Sequence, residues 1–282
     1  MDLVLIRHPA VDVAPGICYG QTDLALRAPA DANAGTPRVQ APTAASSASA
    51  RRQGVTPAVA QAIASIASHL RARGPIIGCY TSPLQRCADV AHALTRSDTT
   101  DTAASTQLDA QGRDQALVQC PLVIDARLAE IDFGQWEMRR WEDIPRRQID
   151  DWAADVLHGR PHHGESAQMV ADRCASWLHD VSQEIDARFG AAHERKPEPA
   201  PCVLVIGHAG PIRLLTALAL GLPPTATLQW PLDFGGVVTL RRESRPISTW
   251  PSSSAATSSS SPQSARRSDS QSARWTLRQW NG

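Results

Sequence analysis

The sequence predicts a three-layer α/β/α sandwich with a mostly parallel central sheet. Short apolar runs of strand length alternate with segments of helical periodicity, the pattern that covers a parallel sheet with helices on both faces. Two of those runs, ending at Tyr80 and Ile206, lead directly into a polar turn that opens a helix. Three stretches, 28–54, 96–119 and 244–273, carry too few large apolar side chains to offset the entropy of ordering them and are expected to be disordered insertions. The remainder of the 282 residues suits a single domain of about 200 residues spanning the whole chain.

Leu3 to Ile6 reads as the first strand. From Pro57, the positions Val59, Ile63, Ile66 and Leu70 step by helical intervals, and Gly74-Pro75 closes that helix. The run 75–80 is the second strand. Ser82-Pro83 follows it, a hydroxyl suited to an N-cap and a proline suited to the first helical position, with Leu84, Ala88, Ala91 and Leu94 continuing at helical spacing. Leu122 to Ile124 is a third short strand, and Met169, Val170, Trp177, Leu178 and Val181 lie on one face of a helix over 165–185. Val203 to Ile206 is a buried strand that runs through Gly207-His208-Ala209-Gly210 into a helix marked by Ile212, Leu215 and Leu218. Gly235 to Leu240 and Arg274 to Trp280 alternate as paired terminal strands.

The charge balance, 28 Lys plus Arg against 28 Asp plus Glu, gives no sign of a nucleic-acid or membrane partner. The longest apolar stretch, Cys202 to Leu222, contains His208 and Arg213 and is too polar to span a bilayer. The first residues lack a basic leader and a long apolar run, and the six cysteines show no CxxC spacing. Both features predict reduced thiols and a cytoplasmic location.

Ligands of open α/β sheets sit at the carboxyl ends of the strands. Four strand exits carry chemistry here: Arg7-His8, Ser82-Pro83 leading to Arg86, Arg127 with Glu130, and Gly207-His208. Two histidines, two or three arginines and one carboxylate suit phosphoryl transfer. Guanidinium forks clamp phosphate oxygens, a neutral imidazole attacks phosphorus, a second imidazole donates to the developing charge, and a carboxyl protonates the departing oxygen. In that reading Arg7 and Arg86 clamp, His8 is the nucleophile, His208 donates and Glu130 exchanges protons, with Asp132 as its competitor.

These segments resemble the histidine phosphatase superfamily, whose phosphoglycerate-mutase-like branch begins with an Arg-His-Gly motif after its first strand. Arg7-His8 matches that motif, and Gly20-Gln21-Thr22-Asp23-Leu24-Ala25-Leu26 is similar to the downstream Gly-x-x-Asp-x-Pro-Leu loop. Thr81 to Arg86 resembles the Ser-x-Leu-x-Arg turn, Leu128 to Glu137 the acid/base segment, Gly164-Glu165-Ser166 the start of the substrate-side helix, and Gly207 to Gly210 the second histidine turn. The resemblance implies a phosphoglycerate-mutase-like fold and a phosphohistidine at His8, with no cofactor and no metal. It also implies phosphate contacts from Arg7, Arg86, Ala209 and either Gln21 or Thr22. Phe-Gly-x-Trp-Glu at 133–137, followed by Trp141, is most similar to the small-phosphomonoester phosphatases and the α-ribazole phosphatase group of cobalamin synthesis.

The chain departs from the family pattern at Pro9, which replaces the usual glycine, and at Ala10-Val11, which replaces Glu-Thr. The loop at 15–20 is shorter than in mutases, which disfavours a mutase, and Met138-Arg139-Arg140 replaces a glycine-containing segment. The expected function is a phosphomonoesterase acting on a small substrate, best α-ribazole 5′-phosphate. A broad-specificity phosphatase and a phosphoglycerate mutase are the enzymatic alternatives, and a phosphate-sensing or scaffold protein is the non-enzymatic one.

The remaining polar features have plainer readings. His158, His162 and His163 lie beside Gly159, Pro161 and Gly164 without metal-ligand spacing and read as a polar loop. Trp136, Trp141 and Trp152 read as core or pocket wall. Arg51-Arg52 and Arg266-Arg267 read as solubilising charge.

Overall fold

The computed structural model describes residues 1–28, 56–71, 73–95, 106–108, 114–116, 118–189, 199–243 and 274–281. Its strands are β1 (Asp2–Arg7), β2 (Ile76–Thr81), β3 (Thr106–Leu108), β4 (Asp114–Ala116), β5 (Leu122–Ile124), β6 (Cys202–Gly207), β7 (Val237–Glu243) and β8 (Arg274–Gln279). Its α-helices are α1 (Pro57–Leu70), α2 (Gln85–Thr95), α3 (Arg146–Ala154), α4 (Ala167–Phe189) and α5 (Ala209–Leu220). Six strands form one sheet in the order β5-β2-β6-β1-β7-β8. The first four are parallel, and β7 and β8 add as antiparallel neighbours.

Strand alternation divides the core between two faces. Leu3, Leu5, Val203 and Val205 pack with Val170, Cys174 and Trp177 of α4 and with Ile212 and Leu215 of α5. Val4, Ile6, Leu204 and Ile206 pack on the opposite face with Val59 and Ile63 of α1 and with Val90 and Leu94 of α2. Every residue of β6 is buried, as a strand covered on both faces requires.

Two expectations change, and one helix is added. Helix α2 begins at Gln85 rather than at Ser82-Pro83; the Ser82 hydroxyl accepts from Leu84 N, and Gln85 N donates to Asp23 Oδ1 at 2.7 Å. Helix α3 has none of its side chains fully buried, so its apolar signal is limited to positions such as Ile149 and Trp152, which lie partly covered on Cys18, Trp136 and Ile144. Within 96–119, β3 and β4 pair antiparallel, and Val118 is buried against the α1/α2 core with its N–H on Leu94 O. The other expected insertions, 28–54 beyond residue 28 and 244–273, lie outside the described residues, as do the Arg51-Arg52 and Arg266-Arg267 pairs.

All six cysteines are free thiols, five of them buried. Among the described residues no helix is long and apolar enough to cross a membrane.

Leu204 sits at the centre of β6 with no exposed surface. Leu204→Ala is expected to lower unfolding free energy in urea by about 2–5 kcal/mol, the cost of a cavity in a tightly packed core. A loss below about 1 kcal/mol contradicts this placement of the strand.

Candidate active site

The register of the parallel strands assembles the site. β1 and β6 pair with Arg7 opposite Gly207, and His8 N continues the ladder to Gly207 O at 2.9 Å. The next residue on each strand is a histidine, so His8 and His208 meet edge to face with ring centroids 5.1 Å apart. On the other side of β6, Thr81 pairs with Ile206, and Ser82 N donates to Ile206 O. This sets the Ser82 hydroxyl 2.7 Å from His208 Nε2.

His8 is 2% exposed. Its Nδ1 lies 2.6 Å from Pro9 O, a group that only accepts, so Nδ1 carries the proton and Nε2 keeps a free lone pair. Burial pushes the imidazole down to about 3, and the Arg86 and Arg7 charges act in the same direction against the Pro9 hydrogen bond. Desolvation is thus the larger cause of its neutrality, and the neighbouring arginines add to it.

His208 is also held well below its usual range, first by burial and then by His8 and Arg86. Arg86 Nε donates to its Nδ1 at 3.2 Å, which leaves the proton on Nε2, facing Ser82 Oγ. That oxygen also accepts from Leu84 N, so its own hydroxyl proton is left to donate. The Cys87 thiol packs 3.4 Å from Nε2, and burial raises it far above its usual value, so it stays neutral.

Arg86 is completely buried. Besides His208, it donates to Thr22 O at 2.9 Å and Gly20 O at 2.5 Å, so three of its five N–H groups are held by protein. The loop that receives it is held by one carboxylate. Glu137 accepts from the N–H groups of Gly20, Gln21, Thr22 and Phe133 and from the Thr22 hydroxyl. Burial alone would raise the Glu137 carboxyl, but these donors hold it below its usual value. A Cβ on Gly20 would fall 1.9 Å from Ile131 O, so only glycine fits the turn.

The Thr22 hydroxyl, one candidate phosphate contact, is thus taken by Glu137. Gln21 turns its amide to Glu130 O at 3.2 Å and Glu165 Oε2 at 3.3 Å.

Arg7 donates to Leu232 O at 2.5 Å, while its buried Nε has no partner among the described residues. Burial lowers it from its usual value, opposed by Tyr19 and Glu130. Glu130 accepts from Ile131 N at 3.0 Å and lies 3.4 Å from Gly210 N. Ala209, the first residue of α5, leaves its N–H unpaired among the described residues at the positive end of that helix.

Arg127 is not brought into the cleft, because its guanidinium is paired with Asp125 and Asp180. Asp132 is turned away from phosphoryl chemistry and caps Gly134 N. His162 accepts from Gly164 N and packs on Phe133 and Trp136. Among the described residues no group of three or more His, Cys, Asp or Glu side chains is arranged to hold a metal ion.

The sequence reading missed several contributors. Arg173 of α4 forks onto Glu165 and donates to the carbonyls of Arg127 and Glu130, fixing the backbone under the candidate acid. Tyr19 lies where its hydroxyl feels Arg7, Arg86 and Glu130. Phe234 packs on His8 and Arg7. The GES run flags Glu165, but its arginine partner eight residues later carries no local signal.

Two imidazoles and two guanidinium groups thus meet at the carboxyl edge of the parallel strands of an α/β sheet. Residues 57–248 match the model of the histidine phosphatase superfamily (branch 1), and the chain belongs to that family. It is 35% identical over 122 residues to glucosyl-3-phosphoglycerate phosphatase of Mycolicibacterium vanbaalenii, covering 42% of this chain and 48% of that protein. It is 28% identical over 120 residues to adenosylcobalamin/alpha-ribazole phosphatase of Escherichia coli, covering 42% and 53%. The matches thus span about half the length of these curated relatives.

Among solved structures, mycobacterial glucosyl-3-phosphoglycerate phosphatase superposes with a TM-score of 0.60 at 22% identity, covering 99% of this chain and 98% of that one. The alpha-ribazole phosphatase of Shigella flexneri gives 0.55 at 19%, covering 86% and 91%. At these identities the likeness is one of fold.

A Cβ on Gly210 would lie 2.4 Å from Glu130 Oε1, the mobile end of a side chain. Gly210→Ala is therefore expected to displace the carboxylate while raising helix stability by up to about 1 kcal/mol. Turnover should fall at least tenfold with an unchanged or higher Tm. Unchanged turnover contradicts the place given to Glu130.

Between pH 6.5 and about 3 the unfolded chain binds a proton at His8 that the folded protein refuses, so stability falls as pH drops through that window. His8→Asn should show a shallower fall in urea midpoint from pH 6.5 to 4.5. Equal slopes contradict the depressed imidazole.

Proposed function

We propose that this chain is a phosphomonoesterase that passes the phosphoryl group through His8. The observation that carries the reading is the His8 imidazole itself: buried, neutral, held in one tautomer by Pro9, with Nε2 left free and the His208 ring centroid 5.1 Å from its own. In the first step Nε2 attacks phosphorus and the ester P–O bond breaks on the opposite side. The N–H on Nδ1 stays on Pro9 O, which stabilises the positive charge growing on the ring. Arg7 and Arg86 meet the equatorial oxygens, and His208 donates to them once its Nε2–H turns from Ser82 Oγ. Glu130 gives its proton to the departing alkoxide and, as carboxylate, then takes one from the water that breaks the P–N bond, which returns His8 and Glu130 to their starting states.

The favoured substrate is α-ribazole 5′-phosphate, which would place the protein in cobalamin synthesis. The Phe-Gly-x-Trp-Glu segment and the likeness to the Escherichia coli relative support it. The higher identity to the Mycolicibacterium vanbaalenii protein favours a second reading, hydrolysis of glucosyl-3-phosphoglycerate.

Rapid alkaline quench with 32P-labelled substrate is expected to trap one phosphohistidine, lost together with turnover in His8→Asn. Glu130→Gln should lower kcat by roughly 10²–10⁴ and less for esters with good leaving groups. Labelling that survives in His8→Asn contradicts the mechanism. A kcat/KM for glucosyl-3-phosphoglycerate above that for α-ribazole phosphate contradicts the substrate assignment alone.

A further inference from the structure

Phe234 is 45% exposed, although its neighbour in space, His8, is 2% exposed. Its ring centroid is 5.6 Å from that of His8, and the Arg7 guanidinium carbon lies 3.8 Å from the same centroid. A phenyl ring in contact with both the proposed nucleophile and the phosphate clamp stands at the edge of the phosphoryl site. Its remaining surface is open to whatever is esterified to the phosphate.

The ring is held in place by its loop. Gly235 N donates to the carbonyls of Arg7 and His8, Arg7 N donates to Gly236 O, and Arg7 itself binds Leu232 O. On the outer side Asn281 Oδ1 accepts from Asp233 N, Asn281 Nδ2 donates to Asp233 Oδ2, and Trp280 Nε1 donates to Pro231 O. An aromatic surface fixed in this way loses little conformational freedom when a ligand covers it. The guanidinium already engages the ring electrostatically, which leaves the ring's open surface for stacking.

We propose that Phe234 is a specificity-determining residue whose exposed surface stacks on a flat aromatic group in the substrate's alcohol portion, favouring aromatic phosphomonoesters over saturated ones of the same size. This rests on the phosphatase reading of His8 and names the class of leaving group that site accepts. The in-line geometry of phosphoryl transfer points the leaving oxygen away from Nε2. The alcohol therefore extends out of the buried floor toward the open rim, where Phe234 stands.

Benzyl phosphate and cyclohexylmethyl phosphate test this, since both release primary alcohols of similar size and differ in whether the ring is flat. The ratio of their kcat/KM values is expected to favour benzyl phosphate in the natural protein. It should fall roughly three- to tenfold in Phe234→Leu, the size of one aromatic pair, with the change carried by KM. Phe234→Trp should keep the ratio. If Phe234→Leu slows both esters equally, the ring only shields Arg7 and the proposal is overturned while the phosphatase reading stands. A natural protein that hydrolyses neither ester overturns this inference, and the phosphatase reading falls with it only if α-ribazole phosphate and glucosyl-3-phosphoglycerate are not hydrolysed either.

Discussion

The parallel pairing of β1 with β6 is the constraint on which the site depends. Arg7 stands opposite Gly207, so the next residue on each strand leaves the sheet at the same height and the two imidazoles meet without help from any flexible segment. A one-residue slip would turn the alternating Leu3, Val4, Leu5 and Ile6 to the wrong faces, and both cores oppose it. The packing that makes the sheet stable is therefore also what brings the histidines together. Burial at that edge, more than neighbouring charge, keeps both rings neutral.

A second layer converts fixed backbone into fixed charge. Glu137 gathers the N–H groups of the 20–22 turn, the carbonyls of that turn hold Arg86, and Arg86 in turn sets the tautomer of His208. Arg173 and Glu165 do the same for the strand exit that carries Glu130. Each proposed phosphoryl contact thus has a polar partner one step back from the cleft. Such preorganised dipoles need little rearrangement when charge develops on a bound phosphoryl group.

The fold was legible because its core strands and helices carry strong periodicity: Leu3 to Ile6, Val203 to Ile206 and the steps of Val59, Ile63 and Ile66 all lie where expected. Helix α3 escaped because little of it is buried, and Gln85 N at the start of α2 is held by Asp23, which is distant in sequence. His8, His208, Arg7 and Arg86 could be found by inspecting residues just past parallel strands. Phe234 could not. It precedes β7, which runs antiparallel, so the entry to that strand, and not its exit, lies at the carboxyl edge. Arg127 obeyed the exit rule yet turned outward, because Asp125 and Asp180 offered it two carboxylates at close range. Rules based on strand ends locate positions near the site, while the direction a side chain takes is settled by partners far along the chain.

The central claim is that His8 and His208 share one bound phosphoryl group ringed by Arg7 and Arg86. A crystal structure of the protein with orthovanadate tests it most directly. The account predicts vanadium bonded to Nε2 of His8, with its equatorial oxygens within hydrogen-bond reach of His208 and both guanidinium groups. Vanadate bound away from His8, or a structure in which the two imidazoles face separate regions, would contradict it.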